Sequence, residues 1–227
     1  MRILIIHHRE NIPGTLRPAL LARELAKLGN EVTVIATSER KRFRVVEKTT
    51  DRVKTIEMPD LLWNGLRRGF DPWNTLRRVL FLIGRDFDII HAFDSRPNVI
   101  LPGLFCKWSK GVPLILDWAD WWGGDGTISK RSGRLFRYTL GWIEVFFEER
   151  FRKFADGSTV VSSALGERLR KLGYARCILL SHHGCDVGRV KPIEKAIARR
   201  RVGLAQEGIA PKYLEYRARR VTAAFVT

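Results

Sequence analysis

Short apolar runs alternate with amphipathic stretches from the first residues of the chain. Arg2 to His7 reads as a buried strand, and Thr15 to Leu28 sets Leu21, Leu25 and Leu28 on one helical face, with Gly29 following where a left-handed stop belongs. Glu31 to Thr37 is a β-branched strand. This strand, helix, strand opening predicts a parallel, doubly wound sheet. Phe43 to Val46 and Val53 to Met58 read as extended segments joined by a turn around Thr50 and Asp51. Asp71 followed by Pro72 starts a helix with a stripe of Trp73, Leu76, Leu80 and Ile83. Asp88 to Phe93 is a further core strand, a helix fits between Arg96 and Lys110, and Pro113 to Asp117 is the next strand.

Arg131 to Ala155 carries a long helical pattern. Arg134, Arg137, Gly141, Glu144, Glu148 and Arg152 form a polar seam, and Leu135, Trp142, Ile143, Phe146, Phe147, Phe151 and Phe154 lie around the other side, which the pattern assigns to the core. Gly157 to Ser162 is a strand, Ser163 caps a helix bearing Leu165, Leu169 and Leu172, Gly173 stops it, and Cys177 to Ser181 is the last clear strand. No repeat or linker interrupts the pattern before residue 187. The expected organisation is one α/β domain, a Rossmann-like, doubly wound, mostly parallel sheet flanked by helices over 1–187, and a basic linker-like segment with an atypical tail over 188–227.

With 227 residues, 45% of them hydrophobic, the chain can bury a sizeable core. Lys and Arg outnumber Asp and Glu by 41 to 24, a net charge of +17 that favours anionic partners: nucleic acid, an anionic membrane surface or phosphorylated substrates. The three cysteines, Cys106, Cys177 and Cys185, form no close pair of the kind a zinc ribbon or redox dithiol needs, which points to a reducing cytoplasm. The opening apolar run is too short for a signal peptide, and no run of about 20 apolar residues exists to span a bilayer. A single glutamine, Gln206, and two methionines in a Lys/Arg/Glu-rich chain match the composition of heat-adapted proteins.

The densest chemistry lies between Val112 and Gly126, where the strand runs into Asp117, Trp118, Ala119, Asp120, Trp121, Trp122, Gly123, Gly124, Asp125 and Gly126. Clustered carboxylates repel unless solvated, paired or used, and indoles offer flat faces to a ring-shaped ligand. The loop after the first strand, His7 to Gly14, lacks the spaced glycines of a dinucleotide site, and no P-loop is present. Gly14, ahead of a helix N-terminus, reads either as a turn glycine or as a donor of amides to a phosphate or sugar hydroxyl. His7 and His8 alternate in direction, and His91, inside its strand, reads as a core histidine. No ligand spacing supports a metal centre. Leu61 to Arg85 interleaves Trp63, Phe70, Trp73 and Phe81 with Arg67, Arg68, Arg77, Arg78 and Arg85, a mix suited to an anionic lipid surface or to a core-packed helix with a basic edge.

Five features in order resemble the amino-terminal half of family 4 glycosyltransferases of the GT-B fold. They are the opening strand with Pro13-Gly14 and a helix ending in Gly29-Asn30-Glu31-Val32-Thr33-Val34; Asp88-Ile89-Ile90-His91-Ala92; Pro113 to Asp120; Thr159-Val160-Val161-Ser162-Ser163; and Gly184-Cys185-Asp186 before Lys191-Pro192 and Arg199. Asn30, Phe93, Ala119 and His183 depart from the family pattern, Ala119 standing where the family has a histidine.

The resemblance implies an acceptor-side domain whose cleft is lined by Pro13, Gly14, His91, Trp118, Trp121, Gly123 and Gly124. Asp120, or Asp117, would then take the place of the missing imidazole. It implies a sugar or lipid-linked acceptor, a nucleotide-sugar donor bound by a separate donor-binding domain that the chain's length leaves out, and hexosyl transfer without metal or other cofactor. The expected location is the cytoplasm, including peripheral contact with an anionic membrane. The rival expectations are a non-catalytic carbohydrate or lipid-linked-sugar module using Trp118, Trp121 and Trp122 and, ranked lower, a basic nucleic-acid binder.

Overall fold

The computed structural model describes residues 1–9, 17–38, 43–61, 69–123, 141–174, 176, 178–182, 184, 191–201 and 203. The chain divides into two units, Met1–His182 and His183–Thr227. In the second, helix α6 (Lys195–Arg201) is described, and it buries none of its residues.

The first unit is built on one eight-stranded sheet: β1 (Arg2–His7), β2 (Glu31–Thr37), β3 (Val46–Thr50), β4 (Val53–Met58), β5 (Ile89–Phe93), β6 (Leu114–Trp118), β7 (Gly157–Val160) and β8 (Ile178–Leu180). The strand order is β3-β4-β2-β1-β5-β6-β7-β8. Every pairing is parallel except that of β3 with β4, a hairpin turning at Asp51 and Arg52 with φ of 51° and 64°, the paired left-handed geometry of a type I′ turn. The chain builds outward from β1 to one side through β2 and β4, then restarts beside β1 with β5, so the doubly wound order reverses between β1 and β5.

Alternate strand residues feed opposite faces. Leu4, Ile6, Ile35, Ile56 and Ile90 pack with Leu82 of α2 (Pro72–Leu82) and with Ile100 and Leu104 of α3 (Pro97–Lys110). Ile3, Ile5, Val32 and Val34 pack with α1 (Arg17–Lys27). Helix α1 buries Pro18, Ala22 and Ala26; of the expected leucine stripe, Leu21 and Leu25 pack half-buried against the same core while Leu28 is exposed. Gly29, at φ 86°, ends that helix as expected.

Helix α2 starts as the sequence predicts, with Asp71 Oδ1 accepting from the Trp73 amide at 2.8 Å. It reverses the expected facing, however: Asn74 and Arg78 point inward with Leu82, and Leu76, Leu80 and Ile83 are exposed. In α4 (Gly141–Glu149) and the 3₁₀ turn Arg150–Phe154, Glu144, Glu148 and Arg152 are likewise buried while Trp142 and Phe146 face out, although Phe151 and Phe154 pack against the core as expected. The polar seam is the inner face because Asn74, Arg78, Glu148 and Arg152 find partners at or just past the carboxyl ends of the strands, as described below. Arg134, Leu135 and Arg137 lie outside the described residues. Helix α5 (Ser163–Lys171) is capped by Ser162, one residue earlier than expected, and Leu165 and Leu169 cover Trp118 and Val160.

Candidate functional site

A doubly wound sheet opens a crevice at the carboxyl ends of its strands where the strand order reverses. Here that point lies between β1 and β5, and His8 and Asp94 follow those strands directly. His8 Nδ1 lies 2.8 Å from Asp94 Oδ2, and Arg96 Nε approaches the same oxygen at 3.7 Å. Asp94 has a φ of 95°, a strained backbone for a non-glycine residue, and its Oδ1 accepts from the Ser95 amide. Burial alone would raise the Asp94 pKa, but His8, Arg96 and that amide hold it below the usual carboxylate range. Burial lowers the pKa of His8, with Asp94 opposing, and lowers that of His7 to about 3.

Register places His7, Phe93, Asp117 and Thr159 in one row across the sheet, so their side chains share a face. Helix α1 covers that face, and Arg17 at its start reaches Asp117 Oδ1 at 2.9 Å. The Thr159 hydroxyl donates to the same Asp117 oxygen and lies 3.0 Å from His91 Nε2. Because the one hydroxyl proton goes to Asp117, His91 must donate through Nε2, which fixes its neutral tautomer. Burial, then Arg17, lowers the His91 pKa to about 4.

On the other face, Glu148 and Arg152 bracket the turn after β6. Glu148 Oε1 accepts from the Trp118 indole at 2.9 Å and the Trp122 amide at 3.0 Å, and Oε2 accepts from the Gly123 amide. Burial raises the Glu148 pKa against these donors and against Arg152. Arg152 lies 4.3 Å over the Trp118 ring, and its Nη1 and Nη2 donate to the Asp117 backbone oxygen at 3.4 and 3.3 Å. Gly123 is required by close approach: a Cβ there would come within 2.8 Å of Glu148 Oε2 and 3.1 Å of Val145 Cα.

All three groups bound by Glu148 are donors, so the amide nitrogen of Glu148→Gln has nothing to bond. That variant is expected to lose about 1–3 kcal/mol and to make Trp118 accessible to acrylamide quenching. Gly123→Ala is expected to give the same quenching signature by pushing the turn off α4. Unchanged quenching in both would rule out the bracket.

The strand end thus separates the expected site residues. Asp117, proposed from sequence as a catalytic carboxylate, is buried and engaged with Arg17 and Thr159. Trp118, expected to line a cleft, is 2% exposed, its indole N–H taken by Glu148 and its ring covered by Arg152. Trp121 lies beneath Arg168 at 3.9 Å, and the Trp122 ring is 6.0 Å from Arg96. Asp120 is exposed, and its backbone oxygen accepts from the Trp118 indole at 3.0 Å. His91, one pair before the Asp117 row on the same face, is a core histidine whose Nε2 is satisfied by Thr159. Pro13, Gly14 and Gly124, together with Cys177, His183, Cys185 and Asp186, lie outside the described residues. Sequence reasoning did not single out Arg17, Asp94, Glu148 or Arg152. For the last two the signal was present, charges four residues apart within an aromatic helix, but it was assigned to the wrong face.

The model of the glycosyl transferase 4-like domain family matches residues 16–179. No curated protein matches the chain. Among solved structures, sucrose-phosphate synthase from Thermosynechococcus elongatus superposes with a TM-score of 0.65 at 15% identity, covering 90% of this chain and 53% of that one. The UDP-forming α,α-trehalose-phosphate synthase of Burkholderia vietnamiensis gives 0.51 at 13% identity, covering 89% and 52%. The chain therefore spans about half the length of either enzyme, and the likeness is one of fold. With the family model covering residues 16–179, from the start of α1 into β8, the chain belongs to the glycosyl transferase 4-like family.

Proposed function

We propose that the chain is the acceptor-side half of a nucleotide-sugar-dependent glycosyltransferase, acting with a donor-binding domain that faces the carboxyl ends of its strands. The observation that carries this reading is the family match over residues 16–179, which takes in the ends of β2, β5, β6 and β7. Asp120, exposed at the end of β6, takes the proton of an acceptor hydroxyl as its oxygen attacks the anomeric carbon and the bond to the nucleoside diphosphate breaks. Asp117 positions Arg17, which supplies positive charge directly after the Pro13-Gly14 loop. Charge develops on both the sugar and the diphosphate, so both walls of a cleft are needed to stabilise the transition state.

The isolated chain, incubated with UDP- and GDP-sugars, is accordingly expected to release little nucleoside diphosphate. Turnover is expected to appear on adding a donor-binding domain and to fall by roughly 100-fold or more in Asp120→Asn. Robust turnover by the chain alone would overturn the dependence on a second domain, and full activity in Asp120→Asn would remove that residue from the chemistry.

A further inference from the structure

We propose that the outer face of the layer formed by α2, α3 and α4 docks on an anionic lipid bilayer. These helices cover one face of the sheet, and Asn74 and Arg78 of α2 and Glu144 and Glu148 of α4 point inward. Their large apolar residues are left outside: Leu76, Leu80 and Ile83 on α2, Trp108 on α3, and Trp142 and Phe146 on α4 are each between 43% and 62% exposed. The face is continuous. Lys110 of α3 donates to Leu82 O at the end of α2, and ring contacts run from Phe146 through Phe151 and Phe154 to Trp108. Scattered exposed apolar residues need no explanation, but six large ones on adjacent helices form an interaction surface.

Charge selects the occupant. Arg85 lies 3.8 Å over the Phe81 ring, Arg77 5.6 Å over Trp73 and Lys153 4.8 Å over Phe154, so cations stand among the apolar groups with their stems along them. The carboxylates at this edge are matched to bases: Asp156 with Lys107, Glu149 with Arg168 and Asp86 with Lys110. A second copy would bring another +17 chain against this one, whereas anionic headgroups attract it and the acyl boundary accepts the apolar residues. Among the described residues no helix is long and apolar enough to cross a membrane, so the contact is peripheral. The surface differs from the one the sequence suggested. Arg78 is fully buried, Phe70 meets Phe147, and Trp63, Arg67 and Arg68 lie outside the described residues.

The test is sedimentation of the full chain with vesicles of phosphatidylcholine alone and of equimolar phosphatidylcholine and phosphatidylglycerol. Pelleting with the anionic vesicles only, with a blue shift of tryptophan emission, is expected. In Leu80→Glu/Trp142→Glu the partition is expected to weaken roughly tenfold or more, with the far-ultraviolet circular dichroism unchanged. No lipid-dependent pelleting overturns the proposal. So does pelleting undiminished in the double variant, which would assign binding to diffuse positive charge, and so does a wild-type dimer that the variant abolishes, which would assign the face to a second copy. None of these outcomes bears on sugar transfer, whose readout is nucleoside diphosphate release.

Discussion

Arg78→Ala is expected to destabilise the first unit by about 2–5 kcal/mol, the range for a large buried side chain cut to alanine with its acceptors left unmet, against the roughly 5–15 kcal/mol that holds a domain folded. The guanidinium is fully buried. Its Nη1 donates to His7 O at 2.9 Å and Asn98 O at 3.0 Å, and its Nη2 to Thr37 Oγ1 at 2.9 Å. Burial pushes its pKa down to about 9, so it stays charged at neutral pH. Alanine leaves three buried acceptors without their donor and opens a cavity beneath the switch point. The neighbouring amides do not compensate, because Asn74 is committed to Met58 O and Pro59 O and Asn98 Nδ2 to Asn74 Oδ1. Arg78→Lys is expected to lose less than alanine but still measurably, since a point charge on a flexible stem does not reproduce the fork. Urea midpoints compare the three proteins, and an alanine variant with the wild-type midpoint would mean that Arg78 does not hold these strands.

Acid is expected to unfold the chain well above the range in which carboxylates titrate. His7, His8 and His91 all have folded pKa values below 6.5, with burial the largest cause in each, and those of His7 and His91 are about 3 and about 4. The unfolded chain takes up protons as pH falls through 6.5, whereas in the folded chain His7 and His91 do not until about pH 4 or below. Stability is therefore full above 6.5 and declines below it, by about 1.4 kcal/mol per pH unit for each of His7 and His91. From pH 7 to pH 5 His7 and His91 each account for a loss of roughly 2 kcal/mol, and His8 adds to it in the same direction. Glu148, with its pKa raised, works in the opposite sense, but it is one group against three. Asp94, with its pKa lowered, adds to the loss only at more acid pH. Thermal midpoints measured from pH 7 to pH 4.5 should fall steeply, and replacing His91 with glutamine should flatten the slope. A flat profile across that interval would show that the buried histidines are protonated in the folded chain.

Much of the architecture was legible because period and punctuation carry it. Apolar runs such as Arg2 to His7 and Glu31 to Thr37 became strands, and Asp71-Pro72, Gly29 and Gly173 marked helix ends as their chemistry requires. Facing was not legible in α2 and α4. A stripe of Trp73, Leu76, Leu80 and Ile83 is apolar whichever way it points, and what settled the matter was the demand of strand-end carbonyls and turn amides for partners, which period does not encode. The candidate site suffered for the same reason. Asp117, Trp118 and Asp120 were marked as chemically dense, but which of them is committed to the protein depends on Arg17, Glu148 and Arg152, distant in sequence and brought in by the topology.

The inward polar face of α2 also bears on the order in which the molecule assembles. The partners of Arg78 lie 71, 41 and 20 residues away, on β1, β2 and α3. A helix whose inner face is polar gains little from packing on a partial sheet, since it would bury an unmatched charge until all three partners are in place. Its docking therefore belongs to the late, native-side part of the folding barrier. Arg78 substitutions should act chiefly by speeding unfolding and leave the folding arm of a chevron nearly unmoved, so the lifetime of the native chain, more than its rate of formation, rests on this one guanidinium.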